Sequence, residues 1–297
     1  GETLIQFLRR HKGEDFVPTL CDAPNLKPFG SCRVCSVDVA LQKGAAARAQ
    51  ASCHTPLMEN SYIYPESERI KRLRRNILEL VLTDYPEEKF KRNGRAPTEL
   101  QIVAANLGMT HSDIRYPPGK NHFNAGPDEG HAYMRSDLST CINCYRCVRA
   151  CDEVQGQFVL SMAGRGFDNR IVKGLDVGFE DSECVSCGAC AQACPTSAIT
   201  DIFDSKRTVA DKVERTVCTY CGVGCNLDVA VRNNKVVSIT APYDASANAG
   251  HTCLKGRYAF HFYDHPDRLT SPLIKRNGQF EKATWDKVAW RLIPFLF

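Results

Sequence analysis

The chain has 297 residues, 43% of them apolar and 24% charged, with 16 cysteines and a formal charge of +4. That balance suits two or three folded domains, and no apolar run approaches the roughly 20 residues of a membrane span. A secreted disulfide scaffold is excluded by the length and by cysteines grouped as C-x2-C, which point to metal thiolates in a reducing, cytoplasmic compartment.

In chain order, Gly1-Glu2-Thr3-Leu4-Ile5 reads as entry into a helix, with Leu4, Ile5 and Leu8 on one face. Gly1 in place of Met, with no strand before that helix, points to residues upstream. Val37 and Val39 alternate as in a strand, after a turn-rich loop over residues 23–31. An amphipathic helix is expected from about Glu66 to Leu82, with Ile70, Leu73, Ile77 and Leu80 on its apolar face. Its basic residues Arg69, Lys71, Arg72, Arg74 and Arg75 read as a solvated face. Residues 83–135 lack periodicity and read as a loop-rich connector, with His111, His122 and His131 as solvated loop histidines. Farther on, Leu227, Val229 and Val231 alternate into Asn233-Asn234, and Val236 to Thr240 return, as in a β-hairpin.

The cysteines fall into four sets of four. Cys141-x2-Cys144-x2-Cys147-x3-Cys151 recurs as Cys184-x2-Cys187-x2-Cys190-x3-Cys194, followed by Pro195. In this two-cluster ferredoxin pattern the fourth cysteine of each run serves the other cluster. Cys141, Cys144, Cys147 and Cys194 are therefore expected to hold one [4Fe-4S] cluster, and Cys184, Cys187, Cys190 and Cys151 another. Cys21, Cys32, Cys35 and Cys53 have the long loop, close pair and distant fourth ligand of a [2Fe-2S] site, although the first gap is longer than in plant-type ferredoxins. Cys218, Cys221, Cys225 and Cys253 form a further four-thiolate site, read as a third [4Fe-4S] cluster. Zinc is the competing occupant of each set, because four thiolates also suit it. With each oxidised cluster near −2, the loaded chain would fall to roughly −4, which removes the electrostatic basis for binding nucleic acid. His54, beside Cys53, reads as a neighbour of the site rather than a ligand.

The long first gap and Ser31-Cys32-Arg33-Val34-Cys35 resemble the N-terminal domain of complex I's large iron-sulfur subunit. Cys253-Leu254-Lys255-Gly256-Arg257 resembles the N-terminal [4Fe-4S] domain of molybdopterin oxidoreductases, as do residues 265–273 and Trp285-Asp286. Taken in order, the array resembles the N-terminal half of the catalytic subunit of cytoplasmic molybdenum or tungsten formate dehydrogenases. The resemblance implies an α+β chain. A β-grasp [2Fe-2S] domain (1–62) would lead to a helix and connector (63–135), a two-cluster [4Fe-4S] domain (136–211), and a small β-rich [4Fe-4S] domain (212–297) truncated before the catalytic domains. It places Lys255 as an electron conduit between cluster and pterin, with Arg257 also at the cofactor.

The complete subunit would carry a bis-molybdopterin guanine dinucleotide with Mo or W, and its partner would be a flavin- and NAD-binding diaphorase. The relatives often carry a His-x3-Cys-x2-Cys-x5-Cys cluster in the connector. Here Tyr85, Lys89, Arg92 and Thr98 stand in the matching stretch, so every ligand has gone, as in some formate dehydrogenases. No cysteine follows Cys253 to hold a hydrogenase's catalytic cluster, and Arg291 to Phe297 do not resemble the helix expected after Trp285. The competing functions are a stand-alone electron carrier or docking module, a complex I-like subunit, and a zinc-bound structural protein.

Overall fold

Thr3 opens the first helix, Leu4–Lys12, with a capping box: its hydroxyl accepts the Gln6 N–H at 3.4 Å, and its own N–H donates to Gln6 Oε1 at 2.9 Å. Such a cap contributes about 1 kcal/mol. The computed structural model describes residues 1–91, 93–117, 119 and 126–292, without the side chains of 290–292. Two units are present, residues 1–258 and 259–297.

Leu4, Ile5 and Leu8 pack on an antiparallel sheet in which Ser36–Ala40 lies between Arg48–Ala51 and Tyr62–Tyr64. The strand is not half-exposed as alternation suggests; all five residues are buried. Val37 and Val39 join the core with the first helix, while Ser36 and Asp38 meet the second helix, Glu68–Thr83.

That second helix buries a different row from the one expected. Ile70, Arg74, Leu78 and Leu82 face inward at four-residue spacing, and Leu80 is 57% exposed. The basic face is not simply solvated either. Arg74 is buried and donates through Nε and Nη2 to the Ser36 carbonyl at 3.0 and 2.8 Å, Arg69 pairs with Asp38, and Arg75 donates to the Leu107 and Gly108 carbonyls. Lys71 and Arg72 alone fit the solvated reading.

The connector is more ordered than its composition suggests. Thr98 and Gln101 form a second capping box that starts the helix Glu99–Asn106. Leu100, Val103 and Ala104 then join Leu78, Leu82 and Tyr85 in a core where each fully buried leucine contributes roughly 2 kcal/mol.

Next comes a two-fold arrangement of short strands. Met134–Ser136 pairs with Ile199–Asp201, and Leu160–Ala163 with Arg170–Lys173, both antiparallel. The helices Arg146–Arg149 and Ala189–Ala193 lie between them in sequence, and the first continues into a π-helical turn, Ala150–Val154. A three-stranded sheet follows: Asn226–Arg232 is central, the expected hairpin partner Lys235–Thr240 is on one side, and Lys212–Val217 is an exposed edge strand on the other. Asn233 and Asn234 both have positive φ, as a two-residue hairpin turn requires.

In the second unit, Leu273–Arg276 and Gln279–Lys282 form a hairpin around Asn277-Gly278, and a helix spans Trp285–Leu292. A helix therefore does follow at Trp285, although the last residues do not resemble the expected one; residues 293–297 lie outside the described residues.

Candidate metal centres

None of the sixteen cysteines is in a disulfide. Among the described residues no group of three or more His, Cys, Asp or Glu side chains is set at metal-binding geometry. Two cavities are lined instead by four cysteines each. One is bounded by Cys141, Cys144, Cys147 and Cys194 together with Ile142, Ile171 and Ile199. The other is bounded by Cys151, Cys184, Cys187 and Cys190 with Leu160 and Phe179. In each, the fourth cysteine comes from the other run.

The loops turn inward through left-handed residues that repeat with the motif. Asn143 and Tyr145 in the first run have φ +51° and +63°; Ser186 and Gly188, 43 residues later, have +56° and +73°. The Ser186 N–H consequently points at Cys184 Sγ, 3.4 Å away. Burial pushes the Cys141 and Cys144 thiols up to about 12, and Cys147 and Cys190 well above the ordinary value. Such thiols become thiolates only when a cation compensates the charge, so the donor set fits an iron-sulfur cluster.

Cys21, Cys32, Cys35 and Cys53 also come together. The Cys32 N–H lies 3.4 Å from Cys21 Sγ, Cys21 hydrogen-bonds Cys32 and Cys53 through sulfur, and Cys35 does so with Cys53. Hydrogen bonds from Cys32 and Cys53 hold the Cys21 thiol far below its usual value. The fourth set is more open: Cys221 and Cys253 are exposed, and Cys218, Cys221 and Cys253 lie close enough to raise Cys225 after burial has done so. A side chain at Gly256 would stand 2.3 Å from Thr252 Oγ1 and 3.5 Å from Cys218 Sγ, so the helix Leu254–Tyr258 approaches this set as only glycine permits.

Lys255 is exposed. Arg257 is only 1% exposed and turned into the ferredoxin pair. Its Nε donates to the Cys187 carbonyl at 2.9 Å and its Nη1 to Gln192 Oε1 at 2.8 Å, while Nη2 is buried without a partner.

The histidines divide. His131 is buried, contrary to the expectation of a solvated loop residue. Its Nδ1 accepts the Tyr133 and Met134 N–H groups at 3.0 and 3.1 Å, so Nε2 carries the proton and donates to Ser186 Oγ at 3.2 Å. His111 lies 2.8 Å from the Tyr85 carbonyl, and His54 is exposed against Gly30. His122 and Arg92 lie outside the described residues.

The other residues at the connector-cluster positions have structural partners. Tyr85 packs edge-on against Phe90, Lys89 pairs with Asp137, and Thr98 caps a helix. The Thr98-x2-Gln101 spacing was the available signal for that helix.

Four cysteine sets on mixed helix and strand units define an iron-sulfur electron-transfer protein. Residues 140–198 match the 4Fe-4S dicluster domain, and residues 211–265 match the molybdopterin oxidoreductase Fe4S4 domain. The chain thus carries the N-terminal iron-sulfur region of molybdopterin oxidoreductase type, related to the large iron-sulfur chain of complex I.

It is 28% identical to a chain of the NADH-quinone oxidoreductase of Rhizobium meliloti, over 91% of this chain and 31% of that one. It is 28% identical to "Probable oxidoreductase YjgC" of Bacillus subtilis over 96% and 32%, and 26% identical to a "Putative formate dehydrogenase" of Staphylococcus aureus over 97% and 32%. The chain therefore spans about a third of the length of these curated relatives. Among solved structures, a chain of an NAD+-reducing [NiFe]-hydrogenase in the H2-reduced state is similar, with TM-score 0.57 and 26% identity over 68% of this chain and 81% of that one.

Proposed function

We propose that the chain is the electron-transfer region of an NAD-linked molybdenum or tungsten formate dehydrogenase, wired by one [2Fe-2S] and three [4Fe-4S] clusters. The observation that carries this reading is the pair of crossed cavities, each lined by three cysteines of one run and one of the other. Bound clusters would supply one-electron storage at each set. The protein's part is to hold them: Cys21, Cys32, Cys35 and Cys53 in a β-grasp [2Fe-2S] domain, the two crossed sets, and Cys218, Cys221, Cys225 and Cys253.

Lys255, exposed two residues after Cys253, offers a cation and hydrogen-bond donor toward a bis-molybdopterin guanine dinucleotide held by the complete subunit. A flavin- and NAD-binding diaphorase is the natural acceptor, a choice supported by the likeness to an NAD+-reducing hydrogenase chain. The loss of the connector cluster's ligands favours formate dehydrogenase, while the similarity to the NADH-quinone oxidoreductase chain supports a complex I-like assembly as the second reading.

Iron and acid-labile sulfide analysis of anaerobically prepared protein tests the wiring. About fourteen irons per chain and little zinc are expected. A value near eight would leave only the ferredoxin pair, and a colourless zinc protein would overturn the reading. The 297-residue chain should accept electrons from a chemical reductant and pass them to a diaphorase, without oxidising formate.

A further inference from the structure

The ferredoxin pair meets the cysteine sets on either side of it through one buried arginine each. Arg257 stands four residues after Cys253, and donates to the carbonyl of Cys187, which belongs to a different set. Arg149 stands between Cys147 and Cys151, and its Nη1 donates to the carbonyl of Cys21 at 2.9 Å, again across sets. Its Nη2 reaches the Lys27 carbonyl, and its guanidinium lies over the Phe29 ring at 4.8 Å.

The repeat makes these contacts equivalent. Shifted by 43 residues, Arg149 falls on Gln192, the residue that receives Arg257. Gln192 also donates to the Ala241 carbonyl at 2.7 Å and accepts the Ala241 N–H at 3.1 Å, so the amide is saturated across the joint. The charge balance differs. Arg149 has Glu153 at 3.2 Å, whereas among the described residues no carboxylate lies within ion-pair distance of Arg257, the buried Asp201 interacting with it only at longer range, and its Nη2 is a buried donor without a partner.

We propose that Arg257 and Arg149 are positioning residues that fix adjoining cysteine sets against each other and raise the reduction potentials of the clusters at each joint, Arg257 more strongly. This rests on the iron-sulfur reading above. A cation held in a buried joint favours the added electron, and a carboxylate beside it cancels most of that preference. Hydrogen bonding at the cysteine carbonyl sets where the loop, and with it the sulfur, can sit.

The test uses the full chain, loaded anaerobically, as wild type, Arg257→Gln, Arg257→Lys and Arg149→Gln. Iron content is measured alongside EPR-monitored redox titration. With iron at the wild-type level, Arg257→Gln should shift one [4Fe-4S] reduction equilibrium about tenfold toward the oxidised form, ~59 mV for one electron. Arg257→Lys should restore most of it, and Arg149→Gln should move the [2Fe-2S] equilibrium less than threefold. Unchanged potentials in a fully loaded Arg257→Gln, or equal shifts in Gln and Lys, would overturn the proposal.

Should Arg257→Gln fail to load, the Lys variant decides: a near-wild-type potential supports the charge role and a tenfold loss removes it. A wild-type chain that binds no iron defeats the iron-sulfur reading itself, and the proposal falls with it.

Discussion

The two halves of the ferredoxin pair share a cysteine pattern and the same left-handed turn positions, yet equivalent positions have diverged in what they touch. Tyr145 is a left-handed residue that keeps its side chain: its ring lies 5.3 Å from Phe29, and its hydroxyl accepts from Asn169. Its counterpart Gly188 cannot keep one, because a Cβ would stand 2.3 Å from the Tyr258 hydroxyl and 2.5 Å from Arg257 Cδ. Arg146 carries an ion pair with Glu99 where the second half has Ala189. Repetition thus conserved the inward-facing thiolate geometry, while the outward positions were fitted to different neighbours.

The comparison breaks most sharply at Gly188. Gly188→Val adds a β-branched side chain at positive φ against buried Tyr258 and Arg257, and should cost about 4 kcal/mol in denaturant unfolding. Tyr145→Gly relieves left-handed strain while losing one ring contact and the Asn169 hydrogen bond, and should cost no more than about 2 kcal/mol. Equal losses at the two positions would mean that the halves are packed alike.

A smaller effect is expected at the ion pair. Burial pushes the Glu99 carboxyl up, but Lys206 and Arg146 more than offset it and hold it below its ordinary 4.5. Glu99→Gln leaves the Arg146 guanidinium buried without its anion and should cost about 2 kcal/mol at neutral pH, Glu99 being partly exposed. A lowered carboxylate stabilises above its unfolded pKa, so wild type and variant should converge as the pH falls below 4.5.

The smallest expected effect is at His131, which holds the Ser186 hydroxyl in the second half alone. Burial lowers its pKa, so its contribution is complete above 6.5 and is lost as the pH falls below that value. His131→Asn keeps an acceptor and cannot titrate. It should cost about 1 kcal/mol at pH 8 and flatten the loss of stability below 6.5. An unchanged pH slope would free His131 of that role.

The sets Cys141 to Cys194 could be grouped from spacing because a C-x2-C-x2-C turn is local, and the structure brings those cysteines together. The joints were not legible. Arg149, Gln192 and Arg257 carry no spacing that announces a partner far away in sequence, and only packing brings them to a carbonyl. Arg74 misled for a related reason: a buried arginine among Ile70, Leu78 and Leu82 breaks an apolar pattern, so Leu80 was expected inside instead. The edge strand Lys212–Val217 was missed because all six residues are exposed and no alternation marks it.

The crossed cavities also impose a timetable. Neither exists in a nascent chain that ends before Cys190, since the second pairs Cys151 with Cys184, Cys187 and Cys190 and the first needs Cys194 as well. At ribosomal rates of roughly 5–20 residues per second, the stretch from Cys151 to Cys194 takes a few seconds to make. Throughout that interval the first run's thiols stand without the wall that will enclose them, open to oxidation and to stray metal. A ribosome stalled between the runs would release a chain in which neither site is complete.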